Sequence, residues 1–322
     1  MTAPACGYGV VQPHGLMFHR FHSPGSHPTG QGSVPGPELE NILRYVGTGR
    51  ILEPDAWLDG LARGTLSPES ICLTFDDGLR SQIDVAVPIL DKLDLKAFWF
   101  VFSSVFDGGI DYHEVYNRFA IQTFPTFDEF VHFFLSEAGI PARLFETEQY
   151  RAYEQDMRNH FDFYTSNDIR FRYIRNSVMN WEDYQASMEI VMAARGCCVD
   201  ELAKDIWMTE DNLACLASNG HHIGLHSYSH PLVFADLSAT EQKDEYHRNR
   251  DHITAITGTV PSSMSHPLGS YSGTTLDVLG ELGVTCGFRS SMTPGFGLED
   301  KRIANLQLPR ADSTDLVKMA SA

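Results

Sequence analysis

Seven short apolar runs, separated by stretches with helical spacing, constrain this chain more than any other feature. They are residues 15–18, ICLTF (71–75), KAFWFVF (96–102), HIGLH (222–226), SSMSHPL (262–268), CGF (286–288) and LQLPR (306–310). Runs this short and this apolar read as buried strands. Helical patterns are expected at 38–46, 54–63, 80–93, 209–219, 238–256 and 274–282, two of them stopped by Gly220 and Gly283. Strands that alternate with helices must pair in parallel, because a helical crossover returns the chain to the same end of the sheet. A closed or distorted barrel fits this alternation better than an open sheet, although the pattern alone does not decide between them. The alternation breaks once, between 107 and 205, where the chain is rich in Phe, Tyr, Arg, Glu and Asp. FDEFVHFFLSEAG (127–139) there has an amphipathic helical pattern with a Gly stop. The expectation is an α/β fold: a distorted (β/α)7-type TIM-like barrel from 1–106 and 206–322, with 107–205 as a mainly helical insertion or cap near its mouth.

Composition narrows the function classes. The formal net charge is −18 over 322 residues, and no run of Lys and Arg occurs. Repulsion disfavours nucleic acid and anionic membrane as partners. The six cysteines, Cys6, Cys72, Cys197, Cys198, Cys215 and Cys286, form no CxxC pair. That argues against a zinc ribbon and a disulfide framework and for reduced, buried thiols. The start of the chain lacks a basic segment followed by an apolar core, and no run is long enough for a transmembrane helix. A cytoplasmic location is the expectation.

Three clusters sit where strands end: Thr74-Phe75-Asp76-Asp77-Gly78, His226-Ser227-Tyr228-Ser229-His230 and Ser265-His266-Pro267-Leu268-Gly269. In barrels the C-terminal ends of the strands carry the chemistry. Neighbouring carboxylates on an extended chain point in opposite directions, so one can hold a metal while the other faces substrate. Two His and one Asp leave open positions on a metal for water and substrate. Each cluster alone is weak. Asp-Asp-Gly is a common turn, and 14 histidines yield HxxxH pairs by chance; His222 and His226 form a second such pair. A helix carrying a His stripe is the competing explanation, but Ile223, Gly224 and Leu225 favour a strand, which puts His222 and His226 at its opposite ends.

Together, TFDDG, HSYSH and a Pro-x-Gly turn, each after a strand, resemble the polysaccharide deacetylase superfamily, carbohydrate esterase family 4. WMTEDNLACLASNGHHIGLHSYSHP (207–231) and SHPLGSYSGTTLDVLGELGVTCGF (265–288) carry the resemblance into the flanks. It covers about 70–106 and 207–312, plus a short N-terminal piece. It implies a hydrolase that removes an N-acyl group, normally acetyl, from an amino sugar during polysaccharide or glycan biosynthesis. It also implies Asp76 as catalytic base, and Asp77, His226 and His230 as ligands of a divalent metal, Zn2+ being the expected ion. His266, Pro267, Gly269 and Tyr228 are the expected substrate-binding residues.

The chain departs from the family at the third motif, where an Arg usually holds the base; here Met264, Ser265 and His266 stand. In this it looks closer to the branch that deacetylates poly-N-acetylglucosamine. Arg310 in LPRAD resembles that branch's final-strand motif and is the candidate replacement cation. No histidine follows His266, so the usual acid motif is absent. The branch carries its acid on the first strand, which makes His19, after Leu16-Met17-Phe18, the candidate acid, with His22 and His266 in reserve. The expected substrate is an acylated amino sugar in an oligosaccharide, nucleotide sugar or lipid-linked glycan. Arg118, Arg172 and Arg175 in the insertion are candidates for meeting phosphate or carboxylate groups. The competing readings are a same-fold amidase acting on a small non-sugar amide and a catalytically silent sugar-binding module. Presence of all four motif residues favours an enzyme over the silent module.

Overall fold

The computed structural model describes residues 8–160 and 164–321. Seven strands form one parallel sheet: β1 His14–Phe18, β2 Ile71–Asp76, β3 Phe98–Val101, β4 His222–Leu225, β5 Ser263–Ser265, β6 Cys286–Phe288 and β7 Arg310–Asp312. Their order is β6-β5-β4-β3-β2-β1-β7. The ring is nearly closed by the segment leading into β7. Leu308 bridges Phe288 of β6 in parallel, its N–H donating to Gly287 O at 2.8 Å. On the other side Gly15 N–H donates to Pro309 O at 3.0 Å, and β7 pairs with β1. The result is a distorted (β/α)7 barrel.

The last strand corrects the expectation of a strand over 306–310. Only Leu308 pairs there, and the ladder begins at Arg310. Pro309 has no N–H to give, and the five residues Lys301–Asn305 are helical, so Leu306 is a helix cap. Residues 266–268 likewise leave the strand for a single helical turn, Pro267–Gly269.

Alternation along each strand sorts side chains into two layers. Ile71, Leu73 and Phe75 of β2 and Trp99 and Val101 of β3 join the large core shared with the surrounding helices. Phe75 and Trp99 stack there with centroids 4.3 Å apart. Cys72, Phe98, Phe100, Cys286 and Phe288 form a second cluster with Trp57 and Leu61. Glycines make room among these rings. A Cβ at Gly224 would lie 2.6 Å from the Phe100 ring, and one at Gly15 would lie 3.1 Å from the Arg310 side chain. Capping boxes at Thr209/Asn212, Ser238/Glu241 and Ser272/Thr275 start three helices, satisfying backbone N–H groups that have no partner within the helix.

The chain divides into two compact units, Met1–Asp111 with Trp207–Ala322, and Tyr112–Ile206. The second is built of helices, among them Tyr112–Thr123, Phe127–Glu137, Ser166–Tyr173 and Trp181–Ala193. Its aromatics mostly build its own core: Phe119, Phe130, Phe134, Phe171 and Tyr184 are buried. The three candidate arginines have partners within the unit. Arg118 donates to the carbonyls of Leu202 and Lys204, Arg172 lies over the Tyr164 ring, and Arg175 donates to Asn176.

The cysteines divide. Cys72 and Cys286 are buried free thiols, whereas Cys197 is half-buried and Cys198 and Cys215 are exposed, against the expectation of buried packing. Cys215 sits on the outer face of helix Glu210–Ser218, whose inward residues are Leu213 and Leu216. Cys6 lies outside the described residues. No helix among the described residues is long and apolar enough to cross a membrane.

Gly287 tests the closing seam. A Cβ there would lie 2.7 Å from Leu306 O and 2.9 Å from Leu306 Cα, backbone atoms that cannot swing aside. Gly287→Ala should lower stability by about 1–3 kcal/mol, read as a lower urea midpoint. Gly273→Ala, whose added methyl meets nothing within 4 Å, should leave the midpoint unchanged or slightly higher.

Candidate active site

The Asp76 carboxylate is held by a fork. Arg310 Nη1 and Nη2 donate to the two oxygens of Asp76, each at 2.7 Å. Arg310 is in turn aimed by its Nε, which donates to Arg289 O at 2.6 Å. Both side chains are essentially inaccessible. Burial opposes ionisation of Asp76, but the Arg310 charge, that of His226 and the Arg310 hydrogen bonds hold its carboxyl below the ordinary value. Gln82 secures the strand end: its Nε2 donates to Asp76 O at 2.6 Å and to His19 O at 2.8 Å. His19 Nε2 stands 3.8 Å from Asp76 Oδ2, with the ring 31% exposed. The other histidines of this stretch are engaged elsewhere: His14 by Tyr8 and the Gln12 carbonyl, His22 by Ser33, His27 by Asp84.

Asp77 faces the other way, though not through simple strand alternation. Its φ is +74°, and Gly78 follows at +63°, so the chain turns left-handed as the strand ends. In the histidine motif Ser227 (φ +64°) and His230 (φ +56°) are left-handed as well, so the segment is a tight loop and not a helical turn. Such conformations cost non-glycine residues free energy and persist only where surrounding contacts enforce them. Here Glu245 does so, accepting from the N–H groups of Tyr228 and Ser229 at 2.9 and 2.8 Å. Asn249 accepts from His226 N–H at 3.0 Å and donates to Val101 O and Ser103.

Asp77 Oδ1 then lies 3.3 Å from His226 Nε2 and 3.6 Å from His230 Nε2. One ligand atom from each of the three residues falls within 4.8 Å of the others, the one such group among the described residues. His226 Nδ1–H donates to Ser265 O at 2.9 Å and His230 Nδ1–H to Asp111 Oδ2 at 3.0 Å. Those bonds leave the Nε2 lone pairs of the neutral rings turned toward a carboxylate. His230 Nε2 is buried with no hydrogen-bond partner. Two lone pairs and an anion at this range require positive charge between them, so the donor set fits a divalent metal. Without an ion, protons serve. Burial works against a charged His230, but the Asp111 hydrogen bond and the Asp77 charge raise its pKa above the ordinary value. Burial disfavours the Asp77 anion too, yet the hydrogen bond from His226 and the charges of His19, His230 and His226 hold it in the ionised form.

The structure brings Asp76, Arg310 and His19 together, and likewise Asp77, His226 and His230. His222 stands apart, its ring 5.2 Å from that of Phe98. One expectation is corrected. His266 is not open to substrate: it is buried, donates from Nε2 to Leu306 O at 2.8 Å and stacks on Tyr271. Burial, with Arg310 nearby, pushes its pKa down to about 3, which also removes it as a reserve acid. Tyr228 is partly exposed, its hydroxyl donating to Asp107 at 2.9 Å and its ring lying under Arg248. Pro267 is buried, and Gly269 (φ +71°) lets the chain pass close to Ser290. Asp111, Gln82 and Asn249 were not singled out from sequence. They act through partners 119, 63 and 23 residues away, and no local pattern marks them.

A polysaccharide deacetylase family model matches residues 63–122 and 125–287, more than half of the chain. The chain belongs to that family and is a carbohydrate deacetylase. Among solved structures it is similar in fold to the Streptococcus pyogenes deacetylase PplD in complex with acetate, at 16% identity and a TM-score of 0.56, covering 96% of this chain and 98% of that one. It is similar also to IcaB from Ammonifex degensii, at 14% identity and a TM-score of 0.54 over 97% of both chains. A de-N-acetylase from Aggregatibacter actinomycetemcomitans gives 14% identity and a TM-score of 0.53, over 96% of this chain and 99% of that one. No curated protein sequence matches.

Two measurements test this geometry. Arg310→Met should cost about 3–5 kcal/mol, because it strands a buried carboxylate. A carboxyl lowered in the folded state contributes stability above its unfolded value near pH 4 and loses it as pH falls through the lowered value. Urea midpoints of the variant should therefore close on those of the parent toward acid. Asp111→Ala should weaken Zn2+ binding by about 10- to 100-fold in chelator competition.

Proposed function

We propose that this protein is a metal-dependent hydrolase that removes the N-acetyl group from an amino sugar within a glycan, as a step of polysaccharide biosynthesis. The observation that carries this reading is a buried carboxylate, ionised and aimed by Arg310, beside a trio of donors that calls for a divalent cation. The acyl group follows from the names of the fold relatives, a deacetylase with acetate and a de-N-acetylase. The sugar polymer follows from the family and from the resemblance to the poly-N-acetylglucosamine branch.

Asp77, His226 and His230 would hold the ion, Zn2+ by preference for two imidazoles and a carboxylate. When bound, it supplies Lewis acidity toward the amide carbonyl and makes water easier to deprotonate. Asp76 accepts the proton of the attacking water. Arg310 keeps that carboxylate charged and fixed, so the base is present over the whole neutral range. His19, partly open to solvent and 3.8 Å from Asp76, gives a proton to the leaving nitrogen. The amide C–N bond breaks, the water oxygen passes to acetate, and the sugar leaves as an amine.

Acetate release from N-acetylglucosamine oligomers, restored to chelator-treated protein by Zn2+, tests the reading. Release from small amides and not from sugars would make the protein an amidase. Asp76→Asn should nearly abolish turnover with metal content intact, and Asp77→Asn should lose the metal; the reverse pattern exchanges their roles. His19→Ala should keep about one equivalent of metal while turnover falls by roughly two orders of magnitude. Turnover close to the parent would exclude His19 as the acid.

A further inference from the structure

Arg289 follows directly on β6 and is fixed on three sides by the closing segment. Its N–H donates to Leu308 O at 2.9 Å, its carbonyl accepts from Arg310 Nε at 2.6 Å, and its own Nε donates to Gln307 O at 2.7 Å. These bonds hold the backbone and the near edge of the guanidinium. The residue is only 7% exposed. Its outer edge is different. Among the described residues Nη1 and Nη2 donate to no protein group, and no carboxylate stands within ion-pair distance.

The surroundings do not compensate this charge. Burial lowers the Arg289 pKa from the ordinary arginine value, and Tyr271 is the neighbour whose charge opposes that shift. The Tyr271 hydroxyl is itself committed to Gln307 at 2.9 Å. The nine residues that follow, 290–298, contain no Asp or Glu. Removing a cation from water without a counter-charge is costly. Arg310 shows what is missing. It is anchored in the same way, Nε on a backbone carbonyl, and its two terminal nitrogens grip the oxygens of Asp76, each at 2.7 Å. Arg289 repeats the anchor and offers the same fork with no carboxylate in it.

We propose that the fork of Arg289 is an anion-binding site that takes a phosphate or carboxylate group through two of its oxygens. Either group presents a pair of charged oxygens that match two parallel N–H donors, and a neutral hydroxyl does not. A guanidinium held at Nε has little freedom left to lose on binding, so the fork is preorganised for that contact. The site uses none of Asp77, His226 and His230, and it takes its anion whether or not those residues hold a metal.

Calorimetry with sodium phosphate and with sodium glucuronate, at constant ionic strength, tests this on the parent, Arg289→Lys and Arg289→Met. Each protein is measured Zn2+-loaded and again after chelator treatment, so that anion held by a metal is told apart from anion held by Arg289. The parent should keep one bound equivalent after chelator treatment. Arg289→Lys retains the charge without the fork and should bind about tenfold more weakly; Arg289→Met should lose that equivalent. If Arg289→Met melts earlier than the parent, Arg289→Lys decides. Tighter phosphate supports the site with a phosphate-bearing ligand, and tighter glucuronate supports it with an acidic sugar. A parent that binds neither anion, affinities unchanged in both variants, or binding that disappears with the metal overturns it.

Discussion

The buried pair of Asp76 and Arg310 is the constraint on which the rest of this active site depends. A carboxylate with almost no solvent access is tenable only with a cation in bidentate contact, because the free energy of removing it from water must be offset locally. The cation comes from β7 and the carboxylate from β2, with β1 between them. Their contact therefore requires the strand order and the nearly closed ring. Gly15 of β1 leaves the space through which the arginine reaches. Thus the ion pair that keeps Asp76 charged also ties the closing strand across its neighbour.

The second half of the site is organised by backbone conformation. Asp77, Ser227 and His230 all occupy the left-handed region. Those turns point the two adjacent carboxylates at different partners and fold the histidines, four residues apart, onto one point. The strain is sustained by polar groups packed against the loop: Glu245 bonds its N–H groups, Asn249 fixes His226, and Asp111 fixes His230. Oriented in this way, the imidazoles turn their lone pairs inward and leave a demand for positive charge that a divalent metal would satisfy.

His266 shows how chemistry and support exchange places. A histidine in a strand-end motif reads as a ligand or an acid. Here it has become a ring within a stack, bonded to the Leu306 carbonyl of the closing segment and driven neutral by burial. The cation beside Asp76 is Arg310, from the closing strand.

The sequence by itself determined the seven-strand alternation and offered the candidates Asp76, Asp77, His226, His230, His19 and Arg310. These are legible because hydrophobic period and strand-end motifs are local, and the family resemblance resides in contiguous segments. The sequence did not determine the start of β7, the burial of His266, the direction of Tyr228, or the roles of Asp111, Gln82 and Asn249. Those depended on which distant strands became neighbours. A hydrogen bond across more than a hundred residues, such as that from His230 to Asp111, exists only once the ring has formed.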